Sequence, residues 1–239
     1  MGNGFSKKYG AVVLSDATIH STEGNGIPDA LVPSTCAETF EAKKQAVTLQ
    51  NWIFASTSES TTEVSFEQTQ RMNPEKYQFV KGTGDAKMIL ATIVCTHKKL
   101  GGAIFTFFRT EPAYRDQKPC DDPTLAKIKE EGSTLYPYAE ISIKGLSSAT
   151  YCIQTPAGLR DVYKIQKMGG MIKFRCVIEQ SGSDGQGGAV AKAQQKNAIG
   201  SKGMIEVGKG CDLMAVCSLV ILLINANQQA GGGAAAAGM

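Results

Sequence analysis

The residues best placed to do chemistry stand at the start of the chain, in MGNGFSKKYG. With Met1 removed, Gly2 offers a free amine with no side chain in its way, and Ser6 supplies a small hydroxyl residue farther along. Together they fit M-G-x-x-x-[ST], the acceptor pattern for N-myristoylation. One myristoyl chain holds a bilayer only marginally, so stable attachment needs a second signal. Lys7 and Lys8 stand directly behind and would supply it, at about 1 kcal/mol each beside an anionic leaflet. The plainer reading of the same residues is an unmodified, flexible start.

Other reactive side chains lack the company their chemistry requires. His97, beside Lys98 and Lys99, reads as a turn residue, and His20 is the only other histidine, so Ser-His-Asp chemistry has no positioned base. The seven cysteines (Cys36, Cys95, Cys120, Cys152, Cys176, Cys211 and Cys217) include no C-x-x-C pair, and most lie in apolar stretches where a thiolate is disfavoured. That pattern argues against a zinc site or a disulfide framework and for a reducing, cytosolic-side setting. GTGDAK (82–87) and GSDGQGG (182–188) lack P-loop and Rossmann spacing and read as turns. Asp121 and Asp122 stand without the series of oxygen ligands that calcium takes. We expect no catalytic residue, no metal site and no cofactor.

Basic residues are the remaining candidates. A net charge of +3, from 25 basic and 22 acidic residues, is too mild for nucleic acid as the main partner, so any anion-binding surface must be local. Lys98, Lys99, Lys173, Arg175 and Lys192 form such a patch if the fold brings them together, with Lys43 and Lys44 as further contributors. The same charges scattered would only keep the surface soluble.

The elements that must position these residues are mostly strands. MIKFRCVIE (171–179) alternates, with Ile172, Phe174, Cys176 and Ile178 on one face and Lys173, Arg175 and Val177 mostly towards water. The stretch 87–109 reads as two strands joined near Lys98 to Gly102. Further strands are expected at 9–15, 47–56 (where Trp52 reads as core), 62–66, 76–82, 138–144, 149–155, 160–167, 189–195 and 203–208, about a dozen in all. Short helices are expected around 35–45 and 124–131, and a long polar loop at 111–125. The tail 228–239, QAGGGAAAAGM with its leading Gln228, has no face to bury, and its composition predicts disorder.

One segment organises the rest. In GCDLMAVCSLVILLINANQQ the apolar run Leu213 to Ile224 covers about 18 Å as a helix, well short of the roughly 30 Å of bilayer hydrocarbon. Asp212 bounds it on one side and Asn225 on the other. A helix that is apolar all round and too short to span belongs inside a protein. About a dozen strands can wrap it as a closed antiparallel barrel, too wide to be filled by strand side chains alone. The expected fold is therefore mainly β, with a C-terminal hydrophobic helix in the barrel.

AVAKAQQKN followed by GMIEVGKGCDLMAVCSLVILLINA resembles the end of the Tubby C-terminal-like superfamily, which includes LURP-one-related proteins and phospholipid scramblases. Gly210 and Asp212 match the glycine and aspartate of that family's "v-x-x-G-x-D" approach to an apolar helix, and Leu213 to Ile224 match the helix. LYPYAEI (135–141) is similar to the family's aromatic-proline strand start. The resemblance implies a twelve-stranded barrel threaded by the helix, and a role with lipids. Tubby proteins bind phosphoinositide headgroups through basic residues, none of which aligns onto this chain. The scramblases' cysteine-rich palmitoylation segment and calcium-binding stretch have no counterpart here.

These readings divide the chain into an acylation and basic segment (1–8), a barrel (9–227) with its central helix at 211–226, and the tail. They predict a non-enzymatic protein, peripheral to a membrane and not spanning it, on the cytoplasmic face of a membrane or in the cytoplasm. Its partner would be an anionic lipid, phosphoinositides among them, or a protein. The rivals are a structural subunit of a larger assembly and, behind it, a phospholipid scramblase.

Overall fold

The computed structural model describes residues 9–17, 38–45, 51–57, 63–71, 74–82, 84–99, 102–112, 114–121, 134–145, 148–167, 174–181, 188–196 and 201–236. These residues form twelve strands in a single closed antiparallel barrel, each strand paired with its neighbours in sequence and the last with the first. The strands are β1 (Glu38–Lys44), β2 (Trp52–Ser56), β3 (Glu63–Gln70), β4 (Lys76–Lys81), β5 (Met88–Lys99) and β6 (Gly102–Arg109). They continue with β7 (Tyr136–Lys144), β8 (Ser148–Thr155), β9 (Gly158–Lys167), β10 (Arg175–Gln180), β11 (Ala189–Gln195) and β12 (Lys202–Val207). One helix, α1 (Leu213–Ala236), follows β12.

The inside is filled as the apolar run requires. From Leu213 to Ile224 every helix residue is buried, and the strands surround them with Phe40, Phe54, Phe66, Phe79, Phe107 and Trp52, all almost completely buried. Rings meet at an angle, Phe107 standing edge-on to Tyr151 at 5.7 Å and Phe66 tilted on Tyr77 at 5.1 Å, the arrangements that suit aromatic quadrupoles. Six of the strand pairings carry a register shift. Such bulges bend and twist a strand, which helps a sheet curl back on itself.

The structure differs from the sequence expectation in five places, the first being His97, expected in a turn but paired with Ile104 inside β5, because the strand runs on to Lys99 before it reverses. The segment expected as a helix at 35–45 contributes β1: Phe40 and Ala42 alternate inward, and β1 pairs with both β2 and β12, so it closes the barrel. Barrel closure outweighs a weak local preference for helix. The strand expected at 9–15 is instead a strap, with a helical turn at Tyr9–Gly10 followed by a stretch tied down by two backbone bonds. Ser15 donates to the Ala189 carbonyl and Ala17 to that of Lys209, each at 2.7 Å. Val177, assigned to the watery face of its strand, is buried, because that face also carries Arg175 and adjoins Lys192, the side chains on which Tyr9 rests. Finally, α1 runs ten residues past the expected limit of 226, through most of the tail, to Ala236. A helix already nucleated in the barrel gains a bond with each added residue, and alanine is the best helix former. The helix expected at 124–131 lies outside the described residues.

Glycine is required where the strap crosses the barrel. A Cβ at Gly208 would run into the backbone carbonyl of Ser15 and lie 3.1 Å from that of Val190. Only hydrogen at that position lets the strap lie flat.

Candidate functional site

In an up-and-down barrel, odd strands end and even strands begin at the same rim. This sequence places lysine or arginine at many of those positions. β1 ends in Lys43–Lys44, β5 in Lys98–Lys99, β7 in Lys144 and β9 in Lys167. β4 begins with Lys76, β10 with Arg175 and β12 with Lys202, while Arg71 directly follows β3 and Lys196 directly follows β11. The acids at this rim, among the described residues, are Glu41 and Glu75. The opposite rim mixes the signs, as in Glu38, Lys81, Asp85, Lys87, Arg109, Arg160 and Asp161.

Charge is densest where β12, β1, β2 and β3 meet. Lys43 stands opposite Lys202 across the β1–β12 seam. The Glu41 carboxylate is 3.1 Å from the Lys43 Nζ and 4.0 Å from that of Lys196. The Lys43 hydrogen bond and charge hold its pKa below the usual carboxylate range, with Lys196 and Lys202 adding to the pull. Exposed pairs of this kind contribute little to stability, and salt screens them. Lys44 is pushed the other way: partial burial lowers its ammonium's affinity for the proton, and the like charge of Arg71 lowers it further. A neighbouring anion would favour the charged form of Lys44 and so oppose both effects.

Of the patch expected from sequence, Lys98, Lys99 and Arg175 belong to this rim. Lys192 does not. It lies midway along β11 with a side chain only 14 % exposed, paired with Glu206 at 3.0 Å and 5.7 Å above the Tyr9 ring. Arg175 stacks on the same ring at 5.8 Å. Lys173, like Gly2, Ser6, Lys7 and Lys8, lies outside the described residues. Sequence reasoning passed over Lys76, Lys144, Lys167, Lys196 and Lys202. Each borders a strand connection, but assigning all of them to one rim requires the parity of every strand along the chain.

The motif residues Gly210 and Asp212 start the central helix. Gly210 has φ +74°, a left-handed turn that a side chain would strain. Asp212 is the helix cap: its Oδ1 accepts the Ala215 N–H at 3.2 Å, its carbonyl accepts that of Val216 at 3.0 Å, and its own N–H donates to the Tyr163 hydroxyl at 3.1 Å. Its side chain is buried in the barrel mouth near Tyr138, Tyr151 and Tyr163. Burial pushes its carboxyl up to about 6, although the Ala215 and Met214 N–H groups pull the other way. The Tyr138 hydroxyl donates to the Met214 sulfur at 3.1 Å. These contacts give Asp212 a structural task at the start of the helix.

Nothing in the described residues assembles a reactive thiol or a metal cage. Burial raises the Cys152 thiol to about 12, and raises those of Cys176, Cys211 and Cys217 further. No cluster of three or more His, Cys, Asp or Glu among the described residues could hold a metal ion. No described helix is long and apolar enough to cross a membrane. Compared with protein-family models, curated proteins and solved structures, the chain matches none.

Proposed function

We propose that this protein is a non-enzymatic, membrane-peripheral barrel that binds anionic lipid on the cytoplasmic face of a membrane, tethered by an acyl group on Gly2. The observation that carries the reading is the gathering of strand-terminal lysines and arginines at one rim, with Glu41 and Glu75 as the described acids there. Clustered basic side chains are attracted to anionic headgroups at about 1 kcal/mol each near the surface. The acceptor pattern at Gly2 and Ser6, with Lys7 and Lys8, would add a reversible hydrophobic anchor. Charge and acyl chain together meet the two-signal requirement that neither meets alone. The Tubby-like resemblance of the helix motif points in the same direction.

A structural subunit of a larger assembly would need a continuous apolar surface. The large exposed apolar residues among those described are Val13 on the strap, Met88 and Ile89 on β5, and Leu159 on β9. Three strands stand between β5 and β9, so these residues do not form one patch.

The test is liposome flotation of protein co-expressed with an N-myristoyltransferase, with and without anionic lipid. Wild type should float only with anionic lipid, and Gly2→Ala should stay behind. Retention of both in the soluble fraction would refute the membrane reading.

A further inference from the structure

We infer that Lys44, Arg71 and the indole N–H of Trp52 hold one phosphate group at the inner edge of the lysine rim, where β1, β2 and β3 meet. This inference rests on the anionic-lipid reading and gives it a defined site. The alternation of β1 sorts its charges between the two sides of the barrel wall. Phe40 and Ala42 are buried on the inward side, so Lys44 shares that side, while Glu41 and Lys43 face outward. Glu41 accordingly acts on Lys43, Lys196 and Lys202. Lys44 is left at the barrel mouth.

Trp52, the first residue of β2, stands directly across from Lys44 in the antiparallel register. Such partners project to the same side, with Cβ atoms about 5 Å apart. Trp52 is 1 % exposed, yet its indole N–H meets no acceptor. On β3 the bulge between Gln68 and Gln70 shifts the alternation by one residue, which brings Arg71 to the inward side. Partial burial and the nearby charge of Arg71 both lower the affinity of the Lys44 ammonium for its proton. No carboxylate among the described residues balances Lys44: Glu75 accepts the Tyr77 hydroxyl at 2.7 Å, and the charge that Lys44 feels is that of Arg71. Residues 45–51 and 72–74 contain no acid.

Two cations and a buried N–H, with no acceptor among them, specify the ligand. A phosphomonoester carries about −1.5 to −2 charges at pH 7 and three strong acceptor oxygens, which matches two positive charges and three donor groups. A carboxylate or a phosphodiester brings a single charge. Bound here, the phosphate accepts a hydrogen bond from the indole and separates the like charges of Lys44 and Arg71. The central helix brings a further unmet polar group to the same end. Asn225 is buried about 20 Å along α1 from Asp212, and neither atom of its amide has a partner. At the opposite mouth the polar groups are matched, Asp212 with Ala215 and Tyr163, and Tyr138 with Met214. Trp52 and Asn225 thus leave polar groups unmet at the end that carries the cations. The phosphate belongs either to a lipid headgroup or to a soluble molecule.

Trp52 is the single tryptophan of the chain, so its emission reports on the site directly. The experiment titrates the full-length protein with inorganic phosphate and, separately, with dihexanoyl phosphatidic acid kept below its micelle concentration. Wild type should give a saturable change in emission that chloride at equal ionic strength does not reproduce. Lys44→Gln and Arg71→Gln should each weaken binding at least about tenfold, while Lys43→Gln, next door on the outer side, should stay within about twofold. Trp52→Phe, followed by calorimetry, keeps an aromatic ring but removes the N–H, and should weaken binding about three- to tenfold. Tighter saturation by the short-chain lipid assigns the site to a headgroup; equal or tighter saturation by inorganic phosphate upholds the site and assigns it to a soluble phosphate. A silent Trp52, or a loss as large in Lys43→Gln as in Lys44→Gln, overturns the site. If wild type floats on anionic vesicles while Trp52 stays silent, the membrane reading survives and this site alone fails; if it neither floats nor responds, both fail.

Discussion

Replacing Asp212 with Asn should make the barrel more stable at neutral pH and remove a pH dependence that the wild type carries. Burial raises the Asp212 carboxyl from its ordinary 3.8 to about 6, so folding disfavours the charged form. A folded value above the unfolded one means that stability is full below about pH 4, falls as pH rises through about 6, and is level beyond that. Two units at 1.36 kcal/mol each give a loss of about 3 kcal/mol. Asparagine caps a helix as well as aspartate does, so the N–H of Ala215 keeps its acceptor. Urea unfolding of both proteins from pH 4.5 to pH 8 gives the difference at each pH, in which titrations common to both cancel. By pH 4.5 about 1 kcal/mol of the loss has already occurred, so the gap should widen from about 1 to about 3 kcal/mol in favour of the variant. A gap that stays flat with pH, or a variant less stable throughout, would refute the account of Asp212 as a buried charge carried for its cap.

Gly208→Ala should release the strap by forcing its Cβ into the Ser15 carbonyl, with hydrogen exchange rising at Ser15 and Ala17 while the strand amides stay protected. Phe107→Ala should cost about 3 to 5 kcal/mol in chemical denaturation, since it empties a fully buried position and removes edge contacts to Tyr138 and Tyr151. Asn225→Leu should raise stability by about 1 kcal/mol or more, because both amide atoms of that buried side chain have no hydrogen-bond partner among the described residues. A thermal melt that moves down with Asn225→Leu would mean that the amide is satisfied in solution.

Much of the architecture could be read from residue order. The hairpin at 87–109 and the length of the Leu213 to Ile224 run each follow from local physics, and the closed barrel around the helix follows from the second of these, whereas the alternation expected in 171–179 fails at the buried Val177. The strand β1 does not follow from local physics, because ETFEAKK has too few apolar residues to distinguish two alternations from a helix turn. Its identity comes from partners far along the chain, Ile205 across one seam and Phe54 across the other. The basic rim had the same problem. Lys44, Lys144 and Lys202 are unremarkable where they stand in sequence, and only the count of strand reversals puts them together. Lys192 shows the converse, an apparently exposed strand lysine that the strap covers.

The β1–β12 seam and the helix that follows it also decide the order in which the protein can be made. β1 has one neighbour that emerges immediately and another about 160 residues later, as the register Lys43 to Lys202 shows. Until β12 arrives, the growing sheet has two open edges, which are the surfaces most prone to pairing with other chains. Even then the ring has no centre, since the helix from Leu213 is synthesised after all twelve strands and supplies its filling. Local hairpins can form early, but the barrel cannot become cooperative until its central helix leaves the ribosome. A chain that stops before Leu213 should therefore accumulate as a sticky, hollow intermediate, and cellular quality control would act on it at that step.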